Sequence, residues 1–201
     1  NNDTKKIIAN YNLSKNSDYP KFGIGIKEVW EVKSEKHKEG QVLHTMGWPL
    51  GNSTGGGSFL YHGSDNQVYI GFVVHLNYKN PYLFPYKEFQ KFKHHPFICN
   101  LLDGGKRIEY GARAISEGGI QSVPKLSFPG GVLIGCSAGF VNVPRIKGTH
   151  NAMKTGMLAA EAAFKQLSIN KENPANLLND YNLSWKKSSV WKDLWLSLIH
   201  I

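Results

Sequence analysis

The chain has 201 residues, of which 41% are hydrophobic and 19% charged, so it can form one sizeable core or one domain with part of another. No run of 18 apolar residues is present, and the two cysteines, Cys99 and Cys136, lack the spacing of metal ligands. This argues against a bilayer-spanning helix, a disulfide framework and a zinc site, and we expect both thiols to be buried. The net charge of +9 is typical of a lysine-rich solvated surface, an anionic membrane surface or an acidic partner; without a nucleic-acid motif we do not expect nucleic acid to bind.

The first part of the chain predicts an antiparallel sheet. Alternating apolar and polar residues predict a strand at 23–32, and shorter strands follow at 41–48 and 57–62. The run at 67–76 is rich in β-branched and aromatic residues and predicts the strongest strand. Turn residues at 62–66 predict a hairpin between the last two. Consecutive strands with short connections favour an α+β fold.

The second part of the chain predicts mainly helices. A short helix is expected at 85–95, with Phe89 and Phe92 on one face, and the apolar run at 132–135 predicts a buried strand. A long helix follows, whose apolar stripe we expect to pack against a sheet or a cofactor. The stripe consists of Ala152, Met153, Gly156, Met157, Ala160, Ala163, Phe164 and Leu167. Pro174 then separates this helix from a last helical segment at 175–195.

The segment 132–160 is the strongest candidate for a ligand site. It predicts a buried strand, a glycine-flanked turn, a proline-bearing loop and a helix that opens at 148–151, where Thr149 or Asn151 can cap it. The free N–H groups and the positive dipole end of such a helix stabilise an anion. A reduced flavin, with negative charge at its N1–C2=O edge, is one such group. A strand-loop-helix unit without a ligand remains the alternative.

Seven segments of the chain resemble, in order, the electron-transfer flavoprotein:ubiquinone oxidoreductases. They are 44–50, 56–62, 80–83, 104–108, 110–114, 124–131 and the block GCSAGFVNVPRIKGTHNAMKTG at 135–156. The similarity runs from about Gly23 to Trp195. The strand, turn and helix at 132–160 are also similar to the second FAD-binding signature of glutathione-reductase-like flavoproteins, although GCSAG replaces the usual Gly-Asp.

The resemblance implies a membrane-bound oxidoreductase that passes electrons from reduced electron-transfer flavoprotein through a 4Fe-4S cluster and FAD to ubiquinone. It also implies monotopic attachment to the mitochondrial inner membrane or the bacterial cytoplasmic membrane. The expected organisation is a ubiquinone-binding domain at 1–110, the C-terminal part of a glutathione-reductase-like FAD-binding domain at 111–170, and an amphipathic membrane-associated segment at 171–195. Tryptophan interleaved with lysine suits a headgroup interface, although a helix packed on the protein fits the composition of this segment equally well. The last residues, LSLIHI at 196–201, are expected to be read-through of a sequencing adapter, with a genuine apolar tail as the alternative.

The resemblance also assigns residues. Gly56 and Gly57 match a glycine pair whose backbone contacts the quinone ring, and Phe59 and Tyr61 line the quinone channel unless they are plain core. The flavin is expected to contact Gln121, Gly135, Gly139, Asn142, Gly148, Thr149 and Asn151. We assign no general acid, base or nucleophile and no metal ligand, because such flavin contacts tune a reduction potential rather than form bonds.

Two features of the intact enzymes are missing from this sequence. No GxGxxG motif occurs, and neither Cys99 nor Cys136 matches a cluster ligand. We therefore expect a fragment that lacks the N-terminal FAD region and the C-terminal 4Fe-4S domain, holds a partial FAD site and is inactive alone. The alternatives are a cluster-free flavoprotein of the FixC or geranylgeranyl-reductase type and a non-catalytic, membrane-associated binding module.

Overall fold

The computed structural model describes residues 2–169 and 178–199, and its contacts divide the chain into two compact units. One unit is Phe22–Ile115, and the other combines Asn1–Lys21 with Ser116–Ile201. The described residues 2–21, for which the prediction was the quinone domain, fall in the second unit, and the predicted domain bounds stay a prediction. The predicted segments at 171–195 and 196–201 lie partly outside the described residues.

The first unit is built on a five-stranded sheet with the order β2-β3-β4-β1-β5. The strands are β1 (Phe22–Glu31), β2 (Val42–Thr45), β3 (Gly56–His62), β4 (Gln67–His75) and β5 (Lys106–Ser116). The pairs β1/β4, β2/β3 and β3/β4 are antiparallel, so the predicted antiparallel sheet is confirmed. The predicted hairpin is also confirmed, because β3 and β4 pair from Gly56↔Val74 to His62↔Val68.

Two helices cover one face of this sheet. They are α2 (Pro85–Lys93) and α3 (Pro96–Leu102). Phe89 and Phe92 are both buried, as predicted, and their rings lie 6.1 and 5.5 Å from that of Phe72. The expectation of buried thiols was wrong, since Cys99 and Cys136 are both exposed. In α3 the inward positions are occupied by Ile98, Leu101 and Leu102, which leaves Cys99 on the outer side.

The second unit is mostly helical. Its elements are α1 (Asn2–Asn10), the short antiparallel ladder of β6 (Ser127–Phe128) and β7 (Gly131–Val132), α4 (Thr149–Ile169), α5 (Asn179–Lys187) and α6 (Ser189–Ile199). The predicted buried strand at 132–135 was wrong, because β7 ends at Val132. Beyond it, the Leu133 N–H donates to the Leu126 carbonyl, next to β6. The Leu133 carbonyl accepts from the Tyr181 hydroxyl, and the Gly135 N–H donates to Thr155 Oγ1.

The predicted apolar stripe of α4 does not face the core of the second unit. Met153, Met157 and Phe164 are 66%, 55% and 76% exposed. The buried residues of α4 are Asn151, Thr155, Leu158, Ala159 and Ala162. Asn151 and Thr155 can be buried because their side chains donate to backbone carbonyls, those of Phe140 and Asn151 respectively, and a hydrogen-bonded polar group loses little on leaving water.

The predicted last helix is two helices, α5 and α6, which meet at Ser188. The Ser188 hydroxyl accepts from the Val190 N–H and so caps the start of α6. Tyr181, Trp185, Val190 and Leu194 are buried in the core of the second unit. The inward face of this segment therefore packs on protein. Within residues 2–169 and 178–199, no helix combines the length and apolar character needed to cross a membrane.

Candidate functional site

The glycine pair occupies the start of β3, where the backbones of three strands approach closely. Gly56 and Gly57 pair with Val74 and Val73 of β4. A Cβ on Gly56, whose φ is +154°, would overlap the Val73 carbonyl oxygen, and one on Gly57 would lie 2.6 Å from the Thr45 carbonyl oxygen. Both positions therefore need glycine for the packing of the sheet itself.

The backbone polar groups of Gly56 are directed away from β4. The His75 N–H donates to the Gly55 carbonyl at 3.0 Å. Because hydrogen-bonded and non-hydrogen-bonded pairs alternate in an antiparallel ladder, the N–H and C=O of Gly56 point away from β4. The β2/β3 ladder ends at the pair Thr45↔Ser58, so these two groups lie beyond its last pair.

Phe59 and Tyr61 lie on the face of the sheet opposite to α2 and α3. Their rings stack with centroids 4.9 Å apart, and the Tyr61 hydroxyl is 3.0 Å from Nε2 of His44. The Phe59 ring also covers the space in which Gly71 lacks a side chain. Both residues are only partly buried. Among the described residues they lie outside the apolar core of the first unit, and their predicted place in a quinone channel stays a prediction.

The predicted flavin-binding loop is held together by its two asparagines. Asn142 forms an isolated bridge with Lys147, and its Oδ1 accepts from the Arg145 N–H at 3.1 Å. The Asn151 amide donates to the Phe140 carbonyl at 3.0 Å. Both side chains are 2% exposed. Their amides therefore stabilise the loop and the first turn of α4.

Asp193 of α6 joins this network, and sequence reasoning missed it. Its backbone carbonyl accepts from Asn142, its Oδ2 lies 3.2 Å from Asn151 Nδ2 and 3.1 Å from His150 Nε2, and its Oδ1 pairs with Arg145 at 3.1 Å. Burial alone would raise the pKa of Asp193, but these hydrogen bonds and the charge of Arg145 hold it below its ordinary value. The sequence did contain a signal for a buried ionic contact here, because Asp193 is a lone carboxylate between Trp191 and Trp195 in α6.

The remaining predicted flavin residues are spread over turns and the start of α4. Gly135 and Gly139 adopt positive φ values of 52° and 83°, which favour glycine. Thr149 is exposed at the first position of α4, and Gly148 is the residue before it, whose carbonyl accepts from the Ala152 N–H. Gln121 is exposed on a separate 3₁₀ turn (Ile120–Ser122).

Across residues 2–169 and 178–199, no cluster of three or more His, Cys, Asp or Glu side chains could hold a metal ion.

Comparison with known proteins identifies relatives over nearly the whole chain. Residues 22–115 match the family model described as ETF-QO, ubiquinone-binding, and these bounds coincide with the first compact unit. Three of these relatives are mitochondrial electron transfer flavoprotein-ubiquinone oxidoreductases. The protein from Dictyostelium discoideum is 53% identical to this chain over 95% of its residues, that from Oryza sativa 55% over 96%, and that from Bos taurus 53% over 95%. The chain spans about a third of the length of these relatives (33%, 33% and 32%).

Two solved structures share the fold at low sequence identity. A geranylgeranyl bacteriochlorophyll reductase-like protein from Thermoplasma acidophilum aligns with a TM-score of 0.68 at 16% identity, over 92% of this chain and 44% of its own. A flavoprotein/dehydrogenase from Cytophaga hutchinsonii aligns with a TM-score of 0.52 at 16% identity, over 94% of this chain and 42% of its own. At this identity the similarity concerns the fold alone.

Proposed function

We propose, because this chain belongs to the electron transfer flavoprotein-ubiquinone oxidoreductase family, that it forms the ubiquinone-binding region and part of the FAD-binding region of such an enzyme. In the intact protein, electrons from reduced electron-transfer flavoprotein would pass through a 4Fe-4S cluster and FAD to ubiquinone. The cluster ligands and the FAD pyrophosphate site would be supplied by parts of the intact protein other than these 201 residues.

One observation carries the quinone proposal: the family match coincides with a compact unit whose predicted quinone residues share one part of one strand. Gly56 supplies backbone polar groups directed away from β4, and Phe59 and Tyr61 supply a partly exposed aromatic surface on the same strand. A quinone is a flat apolar ring with two carbonyl oxygens. A backbone N–H can donate to a quinone carbonyl oxygen, and stacked aromatic rings can pack against the flat quinone ring.

For the flavin, α4 offers a better fit than the loop asparagines. The exposed start of α4 at Thr149 presents N–H groups that have no partner within the helix and a positive dipole end, which suit the anionic edge of a reduced flavin. Asn142 and Asn151 would act indirectly, by holding the loop and α4 to Asp193. FAD, when bound, would supply the electron transfer itself. This chain would supply orientation and hydrogen bonds that set the potential.

Attachment to a membrane surface is part of the proposal for the intact protein. The relatives named above are mitochondrial proteins, which supports the mitochondrial inner membrane, and the bacterial cytoplasmic membrane is the equivalent site in a bacterium. On the outer side of α5 and α6, Leu183 is 59% exposed and Trp195 49% exposed, near the exposed Lys192. Tryptophan and lysine together suit a headgroup interface.

Binding of a quinone to this chain can be tested directly. Decylubiquinone, added to the isotopically labelled protein, should shift the amide resonances of Gly56, Gly57 and Tyr61 and leave those of α5 unchanged. Tyr61→Leu should weaken the effect about tenfold, since it removes one ring of the stacked pair. Tyr82→Leu, at a residue 92% exposed in the same unit, is the matched control. Shifts spread evenly over both units would refute a quinone site at β3.

The flavin assignment and the whole-protein activity need the complete gene. Sequencing on both sides of this segment should reveal a GxGxxG motif upstream and four cluster-spaced cysteines downstream. A GxGxxG motif without the cysteines would instead favour the cluster-free flavoprotein. In the full-length, flavin-loaded protein, Thr149→Ala should change the flavin reduction potential while the flavin content stays constant. An unchanged potential would remove Thr149 from the flavin contacts.

A further inference from the structure

A cavity lies in the first unit, on the face of the sheet that carries α2 and α3. Its volume is about 690 Å³, within the range of small-molecule pockets. Ile24 and Ile26 of β1 form one wall, and Leu76 and Phe84 form another. Ile26 pairs with Phe72 and Phe72 pairs with Ser58, so these three side chains lie on one face of the sheet. Phe59 follows Ser58 and lies on the opposite face, because side chains alternate along a strand. The cavity therefore opens on the side of the sheet opposite to Phe59.

The walls of this cavity leave apolar surface in contact with solvent. Leu76 is 43% exposed, Phe84 59% and Tyr110 80%. These side chains border one concave surface, unlike isolated exposed apolar residues, which are common and need no explanation. A ligand with an apolar chain would remove this surface from water, and the hydrophobic effect would favour its binding.

The ion-pair cluster at one end of the cavity, Glu28 with Lys93 and Arg107, has more positive than negative charge. Glu28 is 1% exposed, and its carboxylate contacts Lys93 at 2.9 Å and Arg107 Nη1 at 3.1 Å. Its Oε2 also accepts from the Trp30 indole N–H at 2.8 Å. One carboxylate thus neutralises one of two cations, and its own oxygens are occupied. The cluster of these three side chains therefore has a net charge of +1, and Arg107 is its cation that lines the cavity.

Arg107 is placed to present that charge to a ligand. Its side chain is 42% exposed, the Tyr110 ring centroid lies 5.3 Å from its Cζ, and Tyr86 lies beside it. A guanidinium has five N–H donors. Arg107 donates from Nη1 to Glu28 and also hydrogen-bonds the Tyr86 hydroxyl, so donors remain for a further acceptor. Their planar arrangement matches a carboxylate in a bidentate contact.

We propose that this cavity binds an amphipathic carboxylate, such as a free long-chain fatty acid anion, with its carboxylate at Arg107 and its chain along Ile24, Ile26 and Phe84. The apolar walls and the surplus positive charge select a ligand that has both a chain and an anionic head. The site is independent of the proposed quinone site, because it lies on the other face of the sheet and is lined by β1, β5 and the start of α2.

The test is a titration of dodecanoate into the 201-residue chain below its micellar concentration, followed by calorimetry and by amide NMR shifts. We expect saturable binding with shifts at Ile26, Arg107 and Gly111. Dodecyltrimethylammonium, which has the same chain and a positive head, should bind at least about tenfold more weakly, as should acetate, which lacks the chain. Equal binding of the cationic probe would overturn the proposal, because the groove would then select for the chain alone.

Two variants separate the site from the stability of the fold. Arg107→Gln should weaken dodecanoate binding about tenfold or more, whereas Lys106→Gln, at the neighbouring exposed residue on the other side of β5, should stay within about twofold of the parent chain. Gly111→Leu should abolish binding without touching the ion pairs, since a Cβ at Gly111 meets no atom within 4 Å and Gly111 lines the cavity.

Two further results would refute the proposal. Undiminished binding to Gly111→Leu would place the ligand elsewhere on the chain. Binding of phosphatidylglycerol vesicles that dodecanoate fails to displace would indicate a membrane surface instead of a carboxylate cavity.

Discussion

Gly57 lies directly against the carbonyl oxygen of Thr45, so that a Cβ at position 57 would be 2.6 Å from it. That oxygen belongs to the β2 backbone, whose last ladder pair is Thr45↔Ser58. A side chain at position 57 would therefore push two strands apart even without a ligand. Loss of quinone binding on substitution of Gly57 would not by itself assign a quinone contact, because the same change disturbs the sheet.

The first prediction follows from this contact. Gly57→Ala should lower the free energy of unfolding by about 1–3 kcal/mol, the usual cost of overpacking, measured by urea denaturation. Gly51→Ala is the matched control, since Gly51 precedes the same strand and a Cβ there meets nothing within 4 Å. Equal urea midpoints for the two variants would contradict this prediction, because the backbones of β2 and β3 would then move apart around position 57 at no cost in stability.

The second prediction concerns the buried ion pairs of the first unit. Glu28→Gln should destabilise the chain by about 3–5 kcal/mol, because it leaves Lys93, whose side chain is only 13% exposed, without its charged partner. Glu31→Gln, at an exposed position on the same strand, should change the free energy of unfolding by less than about 0.5 kcal/mol. A small effect of Glu28→Gln in urea denaturation would mean that water reaches Lys93.

The third prediction concerns Asp193 and its pH dependence. The pKa of Asp193 is lower in the folded chain than its ordinary value of 3.8, so the contribution of this carboxylate to stability is present above that value and is lost as the pH falls through the folded pKa. Asp193→Asn should therefore lower the urea midpoint at neutral pH, and the difference from the parent chain should shrink at about pH 3.

A matched control for Asp193 is available in the same unit. Asp180 pairs with Lys165 at 2.6 Å, but both side chains are more than half exposed, and an exposed pair contributes little. Asp180→Asn should leave the midpoint nearly unchanged at both pH values. If Asp193→Asn behaved in the same way, the network of Asn142, Asn151 and Arg145 would not depend on this carboxylate.

The parts of the fold that sequence predicted are those governed by local pattern. The β-branched and aromatic residues at 67–76 predicted β4, and the turn residues at 62–66 predicted its hairpin with β3, because both signals lie within a few residues of the contacts they specify. The α4 stripe lies away from the core of the second unit, and its predicted packing against a sheet or a cofactor stays a prediction. Periodicity finds apolar positions such as Met157, but it does not show that Asn151 and Thr155 can be buried once partners satisfy their polar groups.

The parts that sequence missed depend on contacts between distant residues. Asp193 is 42 residues from Asn151 along the chain, and Arg107 is 79 from Glu28, so no window of sequence contains either pair. The quinone and flavin residues were assigned by resemblance, and the structure adds which of their atoms are already engaged. Asn142 and Asn151 use their amides within the second unit, whereas Gly56 directs its backbone away from β4.

The last prediction concerns Glu117, next to the end of β5. Burial raises the pKa of Glu117 from 4.5 to about 7. The folded state thus favours the protonated form, and the stability that Glu117 contributes is present below pH 4.5 and is lost as the pH rises through about 7. Glu117→Gln should leave the urea midpoint near that of the parent chain at about pH 4 and raise it relative to the parent at about pH 8.5. The exposed Glu161→Gln, in the same unit, is the control, and a difference for Glu117→Gln that is the same at both pH values would refute the burial of this carboxyl.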